Sequence, residues 1–150
     1  MEICKLDISD FHRCKILWNI DSQKQLAERF LKDLKSGNRE TYICKENDRL
    51  IAEISLVKDM NDCDYTIPGR RVYVSHLIVR KDCRRKGIGK QLLAFVTEKA
   101  KEAGYSEMTV GVDLNNLPAI SLYTKCGFNQ ILLFDQDAQG PYFKLLKTIS

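Results

Sequence analysis

Two apolar rhythms take turns along this chain, one with a period of two and one with a period near 3.6. "EICKLDI" alternates at the start and predicts a first strand. Asp10 to Ile20 predicts a short helix. In "SQKQLAERFLKDLKSG", Leu26, Ala27, Phe30, Leu31 and Leu34 form one helical stripe. Ser22 and Gln25 have capping-box spacing at its start, and Gly37 is a natural stop. Thr41 to Lys45 and Leu50 to Val57, joined by a polar "ENDR", predict a hairpin. Asp59 to Arg71, with Pro68-Gly69, reads as an irregular acidic loop.

"VYVSHLIV" (Val72 to Val79) is apolar on both faces except at Ser75 and His76, as a central buried strand should be. A helix follows from about Ile88 to Ala103, with Ile88, Leu92, Leu93, Val96 and Ala100 on one face and Gly104 at its end. "EMTVGVDL" is the next strand. Asn116 caps a short helix through Tyr123, with Gly127 after it, and "FNQILLF" and "YFKLLK" are final strands around "DQDAQGP". Strands alternating with helices, with hairpins at both ends, predict an α/β (α+β) fold: a mixed sheet flanked by helices. No repeat or linker interrupts it, so a single domain over residues 1–150 is expected.

At 150 residues with 44% hydrophobic content, the chain can bury a substantial core, which excludes pervasive disorder. No apolar run approaches the roughly 18 residues of a membrane span. The start carries acids and no apolar signal core, so a cytoplasmic protein is expected. Six cysteines lie ten or more residues apart, with only His12 and His76 to help them. That spacing predicts reduced thiols and no metal.

The net charge of +4 is modest, but its placement is informative. Arg80, Lys81, Arg84, Arg85, Lys86 and Lys90 stand against one acid, Asp82, which leaves the rest of the chain close to neutral. Within this segment, "RRKGIGKQLL" joins a central strand to a helix. The first amides of a helix are unpaired and carry partial positive charge, and Gly87 and Gly89 put no side chain in an anion's way. A solubility feature and a nucleic-acid patch are the other readings of these cations. Their coincidence with both glycines and a helix start favours phosphate. The Walker spacing and GxGxxG are both absent.

The remaining pattern, Arg84-x-x-Gly87-x-Gly89, resembles the signature of the GNAT superfamily of acyl-CoA-dependent N-acetyltransferases. A second motif of that family follows in "NLPAISLYTKCGF", through Asn116, Ala119, Leu122, Tyr123, Gly127 and Phe128. The resemblance covers about Val72 to Phe128. It implies a mostly antiparallel sheet with a splayed central strand, acetyl-CoA as cosubstrate, and acetyl transfer to a primary amine by direct attack in a ternary complex. It also implies that backbone groups of Leu77, Ile78 and Val79 meet the pantetheine arm. The loop opened by Arg84 would hold the pyrophosphate on amides of Arg85, Lys86, Gly87, Ile88, Gly89 and Lys90. Asn116 would bond the pantetheine, and Tyr123 would protonate the leaving thiolate. The acceptor would be a small-molecule or peptide amine, with no nucleic acid or membrane partner and with room for a homodimer.

Departures from the family pattern bear on the base. Many relatives have a carboxylate on the central strand; here Tyr73 stands about where it would be. His76, or Glu53 acting through water, are the substitutes. Each also has a plainer reading: His76 as a packed histidine, Glu53 as a paired strand acid, Asn116 as a helix cap, Tyr123 as a core aromatic. Lys81 and Arg85 replace residues that are often Pro and Gly, which adds charge. Asp59, Asp62 and Asp64 either solvate their loop or attract a cationic amine. A non-catalytic acyl-CoA sensor on the same fold is the rival function.

Overall fold

Asn47 and Asp48 take left-handed φ angles of 53° and 62°, the pair of angles that a two-residue hairpin turn of the right twist requires. They join β2 (Arg39–Glu46) to β3 (Arg49–Val57), the expected hairpin. The computed structural model, which describes residues 1–149, adds β1 (Glu2–Lys5) outside β2 and β4 (Arg71–Val79) beside β3, all antiparallel. β5 (Glu107–Asp113), β6 (Gln130–Asp137) and β7 (Gly140–Thr148) complete one seven-stranded sheet in the order β1-β2-β3-β4-β5-β7-β6. Only β4 and β5 run parallel. The fold is the mixed, mostly antiparallel α/β arrangement expected.

Two helical layers cover the sheet. On one face, α2 (Ile88–Glu102) buries Leu92, Leu93, Val96 and Ala100 against Ile54, Val72, Val74 and Met108. α3 (Leu117–Lys125) lies at the margin of this core, with Leu122 and Tyr123 partly buried. On the other face, α1 (Lys24–Ser36) and a 3-10 helix (Ile8–Ile16) pack Phe30, Phe11, Cys14 and Trp18 onto Ile43 and Leu50. Among the described residues no helix is long and apolar enough to cross a membrane.

Several boundaries differ from the pattern-based expectation, each for a local reason. The first strand stops at Lys5 because Asp7 becomes a cap: its carboxylate accepts the Ser9 amide at 2.9 Å and the Ser9 hydroxyl at 2.7 Å. The first helical segment therefore starts at Ile8, earlier than Asp10, and is 3-10 in type. Ser22 does not cap α1. Its amide and hydroxyl both turn back to Asn19, at 3.0 and 3.4 Å, and Gln23 takes the cap position without a side-chain bond. Within the α1 stripe, Leu26 in the first turn remains exposed. β6 runs through Asp137, so the last turn is shorter than "DQDAQGP".

The loop between β3 and β4 is tied down at its acids. Lys144 of β7 holds Asp62 at 2.8 Å and Asp64 at 3.1 Å, and Thr109 of β5 donates to the Tyr65 carbonyl at 2.7 Å. Gly111 makes room for the Tyr65 ring, since a Cβ there would lie 2.5 Å from the Tyr65 hydroxyl. The bond from Lys144 holds the Asp62 carboxyl below its usual range. Burial pulls Lys144 down, but its two carboxylates outweigh this and the net direction is up.

These directions fix a pH window. The lowered acid contributes stability above about pH 3.8 that is lost as pH falls through its folded value. The raised amine contributes below 10.5, and that share is lost as pH rises through its folded value. Lys144→Met is expected to cost about 1 kcal/mol at neutral pH, the aspartates being partly exposed. It should also flatten both edges of the stability profile in urea denaturation across pH. An unchanged profile would mean that this triad does not anchor the loop.

Candidate active site

β4 and β5 stay paired only from Arg71 to Tyr73, opposite Glu107 to Thr109. Beyond Tyr73 the two strands part. On its other side β4 pairs Ser75 with Ser55 and Ile78 with Glu53, so two residues of β4, His76 and Leu77, stand opposite the single Ile54. This is a β-bulge, and His76 takes the left-handed φ of 59° that lets the strand bend. The bend opens a wedge beside Leu77, Ile78 and Val79.

That wedge continues into a cleft of about 790 Å³ between the end of β4, the start of α2 and α3. Gly87, at φ 78°, turns the chain into α2, and Arg85 is also left-handed. The Gln91 amide is the first to bond back, to the Gly87 carbonyl at 3.0 Å, so the Ile88, Gly89 and Lys90 amides precede the helical ladder. Gly89 sits where a Cβ would come 3.2 Å from the Leu122 side chain, which brings α3 tightly against the amide end of α2. The Arg84 Nε donates to the Val79 carbonyl at 3.0 Å and ties the loop to the strand end. An anion reaching this point meets free amides, the positive end of a helix and several cations.

The cleft gathers most of the expected residues. Leu77, Ile78 and Val79 line one wall; Arg84, Arg85, Gly87, Ile88, Gly89 and Lys90 the loop end; Asn116 and Tyr123 the α3 side. Lys86 instead faces a smaller neighbouring hollow with Arg49 and Asp82. Asn116 does cap α3, accepting the Ala119 amide at 3.2 Å, and borders the cleft as well. The Tyr123 phenol is pushed up to about 12, first by burial and then by Tyr73 and Cys126. It is a protonated donor at neutral pH.

Glu53 and His76 lie elsewhere, on the sheet face covered by α1. Glu53 is fully buried, and neither carboxylate oxygen has a hydrogen-bond partner among the described residues. His76 Nδ1 lies 3.5 Å from Oε1 and makes no hydrogen bond of its own among the described residues. The imidazole is boxed edge-on by Trp18 at 4.7 Å and Phe30 at 5.3 Å between ring centroids. Burial sets aside the plain reading of Glu53 as a solvated strand acid, and the contact with His76 keeps the paired one. Lys144 holds both Asp62 and Asp64, which leaves one negative charge in excess on this pair, and Asp59 turns a carboxylate oxygen to the Asn61 amide.

Two residues of this face were not singled out by sequence reasoning. Trp18 is the sole tryptophan and stands in an unremarkable segment. Arg39 opens a strand, where a charge is ordinarily solvated, yet its guanidinium folds inward over the Phe30 ring at 4.2 Å. Tyr73 joins the two halves of the site electrostatically. Burial pushes its phenol up, Arg39 pulls it back, and Tyr123 responds to it from the cleft side.

A family model described as "Acetyltransferase (GNAT) family" matches residues 2–128. The chain is 30% identical over 129 residues to the UPF0157 protein YqkA of Bacillus subtilis, a match that covers 86% of this chain and 34% of that protein. It is 30% identical over 117 residues to the uncharacterized N-acetyltransferase YvbK of the same organism, covering 78% and 66%. The chain thus spans a third to two-thirds of the length of these relatives. A Bacillus subtilis acetyltransferase solved in complex with CoA superposes with a TM-score of 0.75 over 99% of both chains, at 22% identity.

An unpartnered buried carboxylate costs stability, whereas an apolar group of similar volume does not. Glu53→Met is expected to leave the protein as stable or up to about 2 kcal/mol more stable in urea denaturation. A clear loss of stability would show that Glu53 serves the fold rather than the site.

Proposed function

The chain belongs to the GNAT acetyltransferase family, and from that premise we propose that it transfers an acetyl group from acetyl-CoA to a primary amine by direct attack. The observation that carries the reading is the wedge between β4 and β5, with helix-start amides at one end and a buried, protonated tyrosine at the other. The pyrophosphate sits on the Ile88 to Lys90 amides, with Arg85, Lys86 and Gly87 shaping the loop and Arg84 holding it. The pantetheine arm runs along Leu77, Ile78 and Val79 and takes a bond from Asn116, which places the thioester near the bulge.

The acceptor comes from the α1 face. Its ammonium gives up a proton to His76, whose ring is oriented by the Glu53 carboxyl 3.5 Å from Nδ1. The free amine attacks the thioester carbon. As the tetrahedral intermediate collapses, the Tyr123 hydroxyl passes its proton to the departing sulfur, and the amide and CoA thiol leave. The extra proton that attack leaves on nitrogen is lost through water, from which Tyr123 is reprotonated, and His76 returns its proton to solvent. Cys126 is a free thiol whose sequence neighbours, Lys125 and Gly127, offer no activating base, which argues for attack without an acyl-enzyme.

Tyr123→Phe is expected to lower kcat by about 10²-fold or more while CoA affinity, read by calorimetry, stays unchanged. An unaltered kcat at saturating acceptor would remove Tyr123 from the chemistry. CoA binding without acetyl transfer to any of a broad amine panel would favour the rival reading, a non-catalytic acyl-CoA sensor.

A further inference from the structure

Arg39 is 9% exposed, and no carboxylate among the described residues lies within salt-bridge distance of it. Its Nε has no partner, and its two terminal nitrogens make only long contacts of 3.4 Å to the single Ser75 hydroxyl. The Phe30 face beneath it supplies some cation–π attraction but no counter-charge. Burial lowers the guanidinium, and Asp33, Glu53 and Tyr73 oppose that from a distance. An arginine left this way costs the fold stability, as a buried charge with no partner does.

The surface around it is polar where a sheet face under a helix is ordinarily apolar. Thr41 and Ser55 share a 2.7 Å hydroxyl bond, and Ser75 and Tyr73 continue the patch on β4. Arg39 and His76 flank the same Phe30 ring, the guanidinium 4.2 Å and the imidazole 5.3 Å from its centroid. The face therefore has two unsatisfied ends: the buried Glu53 carboxyl behind His76, and the buried guanidinium of Arg39. Lys144 offsets one of the two charges on the loop acids Asp62 and Asp64.

We propose that Arg39 binds a carboxylate carried by the acceptor itself, so that the acceptor is an amino acid or similar amine with a carboxylate close to the reacting nitrogen. This rests on the N-acetyltransferase reading. The ammonium end lies at His76 and Glu53, and the carboxylate end at Arg39, with Ser75 between them. A guanidinium with its Nε edge uncommitted presents a planar fork that matches a carboxylate bidentately, a match that lysine does not make. The three-methylene stem of the side chain and its weak Ser75 contacts allow the fork to turn toward a ligand. Desolvation then strengthens the pair.

The test compares free amino acids with their α-carboxamides as acceptors, in the wild type and in Arg39→Gln and Arg39→Lys. The amino acid is expected to exceed its carboxamide by at least about tenfold in kcat/KM. Arg39→Gln should erase that preference, mainly through a raised KM for the amino acid, with a clearly smaller change for the carboxamide. Arg39→Lys should restore only part of it. The thermal midpoint of Arg39→Gln should be equal or higher, since an unpaired charge has gone; if it drops, Arg39→Lys, which keeps the charge, carries the comparison. Equal use of acid and carboxamide by the wild type, or an equal loss for both in the variant, overturns the proposal. Should no amine be acetylated, the transferase reading falls by itself. Calorimetry of the amino acids into CoA-loaded protein then still decides: binding that Arg39→Gln abolishes supports Arg39 as a carboxylate site, and no binding overturns it.

Discussion

A non-glycine residue held at φ 59° inside a strand costs about 1–3 kcal/mol, and His76 carries that cost where β4 turns away from β5. The bulge does three things at once. It ends the parallel pairing after Tyr73, exposes one edge of β4 over Leu77 to Val79, and aims an imidazole at the α1 face beside Glu53. Without it β4 would continue along β5 and close the wedge. The strain is retained because the flanking pairings, Ser55 with Ser75 and Glu53 with Ile78, fix both sides of the bulge.

The electrostatic design divides along the same line. On the α2 side, positive charge is built largely from backbone: amides ahead of the first helical bond, and a glycine at φ 78° that brings them to the surface. On the α1 side, polarity is built from buried side chains whose polar atoms lack hydrogen-bond partners among the described residues, Glu53 and the Nε of Arg39. Cores seldom tolerate both kinds of unpaired group in one layer. Their presence under α1, with a hydroxyl patch between them, is the mark of a surface meant to be completed by another molecule. Tyr73 spans the two sides, within electrostatic reach of both Tyr123 and Arg39.

Much of this was legible in the chain. The alternation of periods located the strands and helices, and the order strand, basic glycine turn, helix pointed to the loop that lines one end of the cleft. Asn116 and Tyr123 were legible because their spacing within α3 brings both to the cleft. Local competition was harder to read: Asp7 capturing Ser9 and Asn19 capturing Ser22 both moved helix starts that periodicity had placed elsewhere. Arg39 was not legible at all. A charged residue at the head of "RETYICKE" looks solvated, and only the packing of Phe30 against the sheet turns it inward. The acidic loop looked available to a ligand until Lys144, eighty-two residues from Asp62 in sequence, was seen to hold it.

The most direct test of the account is amide hydrogen exchange with and without CoA. Binding is expected to slow exchange at Leu77 to Val79 on the freed edge of β4 and at Ile88 to Lys90 at the start of α2, while β1 and β6 are unaffected. Protection confined to other segments, or none at saturating CoA, would contradict the placement of the cofactor in the wedge.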